Sequence, residues 1–269
     1  MTIPSDPVAR PDDAGQVSIF VCGTQKGGTT SLHAHFVEHP ELSAPQKKEL
    51  HFFDNESVDW IRPDYAPLHA SFSTAPGHGL RYDITPIYMF WPASLERIAS
   101  YNPNARLIFL FRDPLERAWS HWSMEWARKA ETLPFTEAIR QGRSRLEGIP
   151  INAPAWRVFS YLERGLYGAQ VERALSLFPR EQLLFLRSED LRDQHTETLD
   201  RIARFLRITR FPDTGMKTEN ARPAIDYPSW ATAADRALVA EFVNEDLRNF
   251  AKLTGLDTDH WPCMAQIRA

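Results

Sequence analysis

Between Cys22 and Ser31 the chain reads Cys22-Gly23-Thr24-Gln25-Lys26-Gly27-Gly28-Thr29-Thr30-Ser31. Glycines there let the backbone bend until several N–H groups face one anion, and a helix starting at the threonines adds the partial positive charge of its N-terminus. The helix contribution is modest, about 0.3–1 kcal/mol at exposed sites, so the clustered donors must supply most of the affinity. The lysine position separates two chemistries. A Walker A loop has its lysine directly after the second glycine. Gly23 and Gly28 have that spacing, yet position 29 is threonine and the lysine stands inside the loop at 26. From there it reaches back toward the bridge between a 5′-phosphate and the group being transferred, which suits neutralising charge on a leaving phosphate oxygen.

A second anion contact is legible further along. Arg112 ends the apolar run Leu107–Phe111, and Ser120 lies two helical turns beyond Asp113. Arginine grips phosphate through two parallel hydrogen bonds and a serine hydroxyl adds a third. The competing readings are an ion pair for Arg112 and a back-bonded helix serine for Ser120. Two separate phosphate sites imply a nucleotide phosphorylated at two places.

These groups need a scaffold. VSIFVC (17–22) is a buried strand by length and β-branching, and TTSLHAHFVEH after the loop has helical spacing. Residues 40–90 offer only a short strand near Arg81–Ile84. SLERIASYN (94–102) reads as helix and ARLIFLFR (105–112) as strand. The next helix begins with Asp113 as N-cap, Pro114 at the first position and Glu116 completing a capping box. GAQVERALSLF is a helix, EQLLFLRSEDL carries a strand, and ETLDRIARFLRI and ATAADRALVAEFVNEDLRNFAKLTG are helices. Trp119, Trp122 and Trp126 share one helix face, as core stripes do, although an acceptor cleft lined by them is the alternative. The expected fold is α/β in three layers, a central parallel sheet flanked by helices on both faces. Residues 1–15 are expected to be a flexible tail and 16–269 a single domain.

Composition narrows the partners. The 269 residues carry a net charge of −4, which gives no electrostatic case for nucleic acid or a membrane surface, so any anion site is local. Two cysteines, no apolar leader and no run of about 18 apolar residues point to a cytoplasmic protein without a transmembrane segment. The nine histidines are scattered, without metal-ligand spacing, so no metal is expected.

The two anion segments resemble the 5′-phosphosulfate loop and the 3′-phosphate motif of sulfotransferases dependent on PAPS (3′-phosphoadenosine 5′-phosphosulfate). GTQKGGTTSL is similar to the first, and RLIFLFRDPLERAWSHW, with its R-D-P-x-E-R-x-x-S core, to the second. KKELHFFD (47–54) and GLYGAQVERALSLFPREQLLFLRSEDL (165–191) resemble the heparan sulfate sulfotransferase branch and its bacterial homologues. The resemblance implies a P-loop-like fold and PAPS as donor, with PAP (3′,5′-adenosine bisphosphate) as product. It implies that Lys26 stabilises the leaving phosphate, that Gly27, Gly28, Thr29 and Thr30 cradle the 5′-phosphate, and that Arg112 and Ser120 bind the 3′-phosphate. Glu49 matches the carboxylate that deprotonates the acceptor hydroxyl. His51, two residues on, faces the same side of an extended segment and is the rival base; His33 is the weaker rival. Lys217 and Arg222 stand in a proline-bounded loop, where the two readings are solvated charges and a segment that closes over the donor. The branch's Glu-Lys-Thr-Pro is here Asp83-Ile84-Thr85-Pro86, without the lysine, and its late cysteine-bearing, lysine-rich loop is absent.

The expected activity is sulfuryl transfer to the hydroxyl of a small molecule, lipid or carbohydrate. The alternative is a nucleotide kinase or other phosphoryl-transfer enzyme with a variant loop, for which Asp83 is the metal-holding candidate. A catalytically silent nucleotide-binding module is the third reading. Oligomeric state is open.

Overall fold

The computed structural model describes residues 15–73, 79–213, 215 and 230–265. The first apolar run forms β1 (Val17–Gly23), every residue of which is buried. The other strands are β2 (Leu42–Ser43), β3 (Leu80–Ile84), β4 (Arg106–Phe111) and β5 (Leu183–Arg187). They form one sheet in the order β2-β3-β1-β4-β5, and every pair is parallel.

Parallel neighbours require crossovers, and helices supply them. α1 (Thr29–Val37) follows β1, α2 (Ala66–His69) precedes β3, and α3 (Ser94–Tyr101) leads into β4. Between β4 and β5 lie α4 (Pro114–Ala127), α5 (Phe135–Gln141), α6 (Pro154–Phe159) and α7 (Tyr167–Leu177). α8 (Ser188–Asp193), α9 (His195–Leu206), α10 (Ala233–Thr254) and α11 (Pro262–Ala265) complete the described chain.

Strand alternation divides the core between the two faces. Phe20 and Cys22 of β1, with Leu107, Phe109 and Phe111 of β4, pack against α3, α7 and α10. Ile19 and Val21, with Ile108 and Leu110, pack against α1 and α9. Both faces of the sheet are therefore covered, which is why β1, β4 and β5 carry near-continuous apolar runs rather than alternating ones. The Trp119–Trp122 stripe joins a third cluster with Phe135 and Tyr161, and Trp126 packs against that cluster. It is core.

Asp113 caps α4 as expected, its Oδ1 accepting from Glu116 N at 2.9 Å. The capping box is only half formed. The Glu116 carboxylate turns to the Arg112 guanidinium, where a charge-assisted bond replaces a neutral one. The other Asp113 oxygen, Oδ2, accepts from Cys263 N at 2.9 Å and so ties α11 to the start of α4.

Candidate active site

The glycine loop is held from beneath by the strand beside it. Thr24 donates to Leu110 O from its backbone at 2.7 Å and from its hydroxyl at 3.0 Å, and Gly27 N donates to Thr24 O at 2.9 Å. Position 27 has no room for a side chain, because a Cβ there would lie 2.5 Å from Leu110 O. Ser188, at the start of α8, donates its hydroxyl to Gly27 O and braces the loop from the β5 side. Gly28 caps α1 with φ 91°, a left-handed value that favours glycine. Among the described residues, the N–H groups of Gln25, Lys26, Gly28, Thr29 and Thr30 donate to no backbone carbonyl. Open donors at a helix N-terminus fit a phosphate.

Lys26 is half-buried, with φ 71°. Burial lowers its pKa, as do the nearby guanidiniums of Arg128 and Arg112, while Glu49 and Glu125 pull the other way. Lysine, Arg112 and the loop therefore share one electrostatic neighbourhood at the carboxyl edge of the sheet, where open α/β sheets hold ligands.

Arg112 follows β4 at that edge, half-buried, and its carbonyl accepts from Tyr167 Oη at 2.8 Å. Its guanidinium is engaged by Glu116, with Nε and Nη2 at 2.9 and 2.8 Å from Oε2. Ser120 is half-buried on α4, and among the described residues no hydrogen bond joins it to another candidate. Lys217 and Arg222 lie outside the described residues.

The segment from Lys48 to Asp54 is irregular rather than extended, and Glu49 and His51 both adopt left-handed φ, 61° and 54°. This is a correction to the extended segment expected from sequence, although the two side chains still meet. A continuous polar chain results. Lys48 Nζ donates to Thr30 Oγ1 at 3.2 Å and to Glu49 Oε1 at 2.7 Å. His51 Nε2 lies 3.5 Å from Glu49 Oε2, and its Nδ1 lies 2.9 Å from Asp54 Oδ2. Arg157 completes the chain, donating to Asp54 Oδ2 at 2.6 Å and to Asp54 O at 2.7 Å. Left-handed non-glycine residues are costly, about 1–3 kcal/mol each, and persist where surrounding contacts impose them.

These contacts set the charges. Burial acts to raise the Glu49 carboxyl, but hydrogen bonds from His51 and Lys48 outweigh it and hold it at about 2. Asp54 and then Glu49 raise His51 to about 9 against the opposing effect of burial. At neutral pH the pair is carboxylate and imidazolium. His33, on α1, is pulled down, first by burial and then by Lys48; it contacts Tyr82 and stands outside the chain.

Asp83 is fully buried at the end of β3, accepting 2.7 Å bonds from both Thr85 Oγ1 and Tyr88 Oη. Burial raises it to about 6. Its oxygens serve an internal network, and among the described residues no group of three or more His, Cys, Asp or Glu side chains could hold a metal ion.

Sequence reasoning left Lys48, Asp54, Arg157 and Ser188 unassigned. Lys48 and Asp54 lie within KKELHFFD, where a histidine three residues before an aspartate was an available signal. Arg157 is 103 residues from Asp54 and Ser188 is 161 from Gly27, so no local spacing reveals them.

The model of the sulfotransferase domain matches residues 16–218. Among curated proteins, the membrane-associated sulfotransferase kil1 of Dictyostelium discoideum is 23% identical, over 76% of this chain and 58% of its own. Heparan sulfate glucosamine 3-O-sulfotransferase 3B1 of Homo sapiens is 28% identical, over 71% of this chain and 46% of its own. The human bifunctional heparan sulfate N-deacetylase/N-sulfotransferase 3 is also 28% identical, over 70% of this chain and 22% of its own. The chain thus spans about half or less of the length of most of these relatives. The crystal structure of a sulfotransferase from Alicyclobacillus acidocaldarius superposes with a TM-score of 0.74 at 26% identity, covering 94% of this chain and 99% of that one.

Proposed function

The chain belongs to the sulfotransferase domain family, and on that premise we propose that it transfers a sulfuryl group from PAPS to an acceptor hydroxyl and releases PAP. One observation carries the reading. The open N–H groups of the glycine loop and the Glu49 carboxylate are joined through Lys48, which donates to Thr30 and to Glu49 at once. An anion cradle and a proton acceptor stand at opposite ends of one lysine, as transfer from a phosphate-linked donor to a hydroxyl requires.

PAPS supplies the activated sulfuryl group; the chain's own residues do the rest. Gly28, Thr29 and Thr30 hold the 5′-phosphate with open backbone donors, Gly27, whose N–H is spent on Thr24 O, shapes the cradle, and Arg112 and Ser120 receive the 3′-phosphate. For that, Arg112 must release or share Glu116. Lys26 offsets negative charge on the leaving phosphate oxygen. Glu49 takes the hydroxyl proton. His51 is already protonated between two carboxylates, which makes it the donor that orients Glu49 rather than the base. An acceptor hydroxyl that displaces Lys48 or His51 removes a donor from Glu49 and raises its basicity at the moment of use.

The proposed acceptor is a small-molecule, lipid or carbohydrate hydroxyl. Two relatives are named for heparan sulfate, but Ile84 stands where that branch has its lysine and is buried in the core. Among the described residues no helix is long and apolar enough to cross a membrane. A cytoplasmic location is part of the proposal, supported by two buried free thiols. The phosphoryl-transfer alternative has less support, because Asp83, its metal-holding candidate, is enclosed by Thr85 and Tyr88.

The deciding experiment is thermal stabilisation by PAP beside ADP and ATP–Mg²⁺. PAP at 100 times its dissociation constant stabilises by about 2.7 kcal/mol. A shift with PAP that weakens in Arg112→Ala supports the two-phosphate site and leads directly to transfer assays with PAPS. A response to ATP–Mg²⁺ without one to PAP overturns the proposal.

A further inference from the structure

Behind the glycine loop lies a second positively charged place. Arg117 on α4 is completely buried, and its Nη2 donates to Tyr161 O. Its Nε and Nη1 meet no hydrogen-bond partner. Arg164, also buried, is more fully satisfied: Nε donates to Ser160 Oγ at 2.8 Å, Nη2 to Trp156 O and Arg157 O at 3.1 and 2.9 Å, and Nη1 to Gln25 Oε1. Both arginines line one cavity, together with Thr24, Gln25, Met89 and Gln170. Among the described residues neither has a carboxylate within 4.0 Å, the ion-pair distance met by sixteen other pairs of the chain.

Glu163 acts on Arg117 and Glu125 on Arg164 only from beyond ion-pair distance, and two buried guanidiniums so weakly countered are expensive, the more so side by side. A neutral water would satisfy N–H donors but leave the charge. The cavity is small, about 10 Å³ and on the scale of one water, so a compact ion suits it better than phosphate or sulfate. A monatomic anion meets both demands.

We propose that this cavity binds a halide, chloride under ordinary conditions, held by Arg117 and Arg164 directly behind the loop that carries Lys26. Burial, followed by the neighbouring Arg117, lowers Arg164 to about 9, the conflict that a bound anion relieves. Because Arg164 also holds Gln25, the halide stiffens the loop that carries Lys26.

The test is made on the whole chain with bromide and chloride against gluconate at constant ionic strength. Either halide raises the melting temperature by about 2–4 °C over gluconate. Crystals grown in bromide show an anomalous peak in the cavity beside Arg117. Arg117→Met abolishes the halide-dependent shift, and Lys26→Ala retains it. Equal melting temperatures in all three salts overturn the proposal, as does a cavity without an anomalous peak in bromide crystals. Loss of the shift in Lys26→Ala assigns the halide to the nucleotide loop and overturns it equally. Should Arg117→Met fail to fold, the bromide peak in the unaltered protein decides.

Discussion

Arg112 and Glu116, one helical turn apart, are joined twice through a single carboxylate oxygen, Nε and Nη2 lying 2.9 and 2.8 Å from Oε2. The side chain proposed to grip the 3′-phosphate is thus already occupied, by a partner that is itself negative. Partly exposed pairs of this kind contribute about 0–1 kcal/mol. Glu116→Gln leaves the backbone N–H that caps on Asp113 intact, frees the guanidinium and removes a charge that repels phosphate. PAP affinity by titration calorimetry should rise, by about 1.5–5-fold. A fall would mean that Glu116 positions Arg112 rather than competes for it.

Glu49→Gln keeps the side-chain volume and removes the proton acceptor. The turnover number should fall by about 10²–10⁴-fold while PAP affinity stays within about two-fold. Single-turnover transfer assays beside PAP titrations separate the two quantities. Unchanged turnover would move the base elsewhere.

His51 gives a pH signature with a defined sign. Its pKa in the folded chain, about 9, lies above the ordinary histidine value near 6.5. A raised folded value means that the stabilisation is complete below pH ~6.5 and is lost as pH climbs through ~9. The groups responsible are Asp54 and Glu49, and His51→Asn removes the titration. Urea midpoints across pH 6–10 should fall more steeply for the unaltered chain than for the variant. Parallel curves would show that the Glu49–His51–Asp54 contacts do not hold a proton in solution.

Phe109 is fully buried on β4, an inner strand of the sheet, with ring centroids 5.6 Å from Phe185 and 6.3 Å from Phe111. Phe109→Ala should cost about 3–5 kcal/mol in urea unfolding, from lost transfer energy plus the cavity left behind. A loss under about 1 kcal/mol would mean that the sheet and the helices over it close the gap.

What the sequence revealed and what it hid divide along one physical line. β1, the glycine loop and α1 were readable because a buried strand, a tight turn and a helix start each have local signatures, as do β4 and the Asp113 cap. The Trp119–Trp122 stripe was equally plain, its spacing stating its burial. Glu49 was found by resemblance to a motif and His51 by its spacing from Glu49, but their left-handed backbone follows no residue preference and is imposed by tertiary contacts. Glu116 was assigned to a capping box because the motif is local; its actual partner, Arg112, is just as near in sequence, and only three-dimensional geometry chooses between them. Arg157 and Ser188 reach the site across more than a hundred residues. No periodicity encodes such meetings.

Asp113 binds the start of α4 with one oxygen and the backbone of Cys263 with the other, across 150 residues of chain. It is 3% exposed, so an unmet oxygen there is costly. During synthesis the ribosome delivers Asp113 long before it delivers Cys263. Until then the nascent chain has strands β1 and β4 and the glycine loop between them, but the carboxylate at the mouth of α4 still needs water. The helix that follows Arg112 and the last helix of the described chain therefore settle together, and the proposed anion site takes its finished form only after Cys263 has joined the chain.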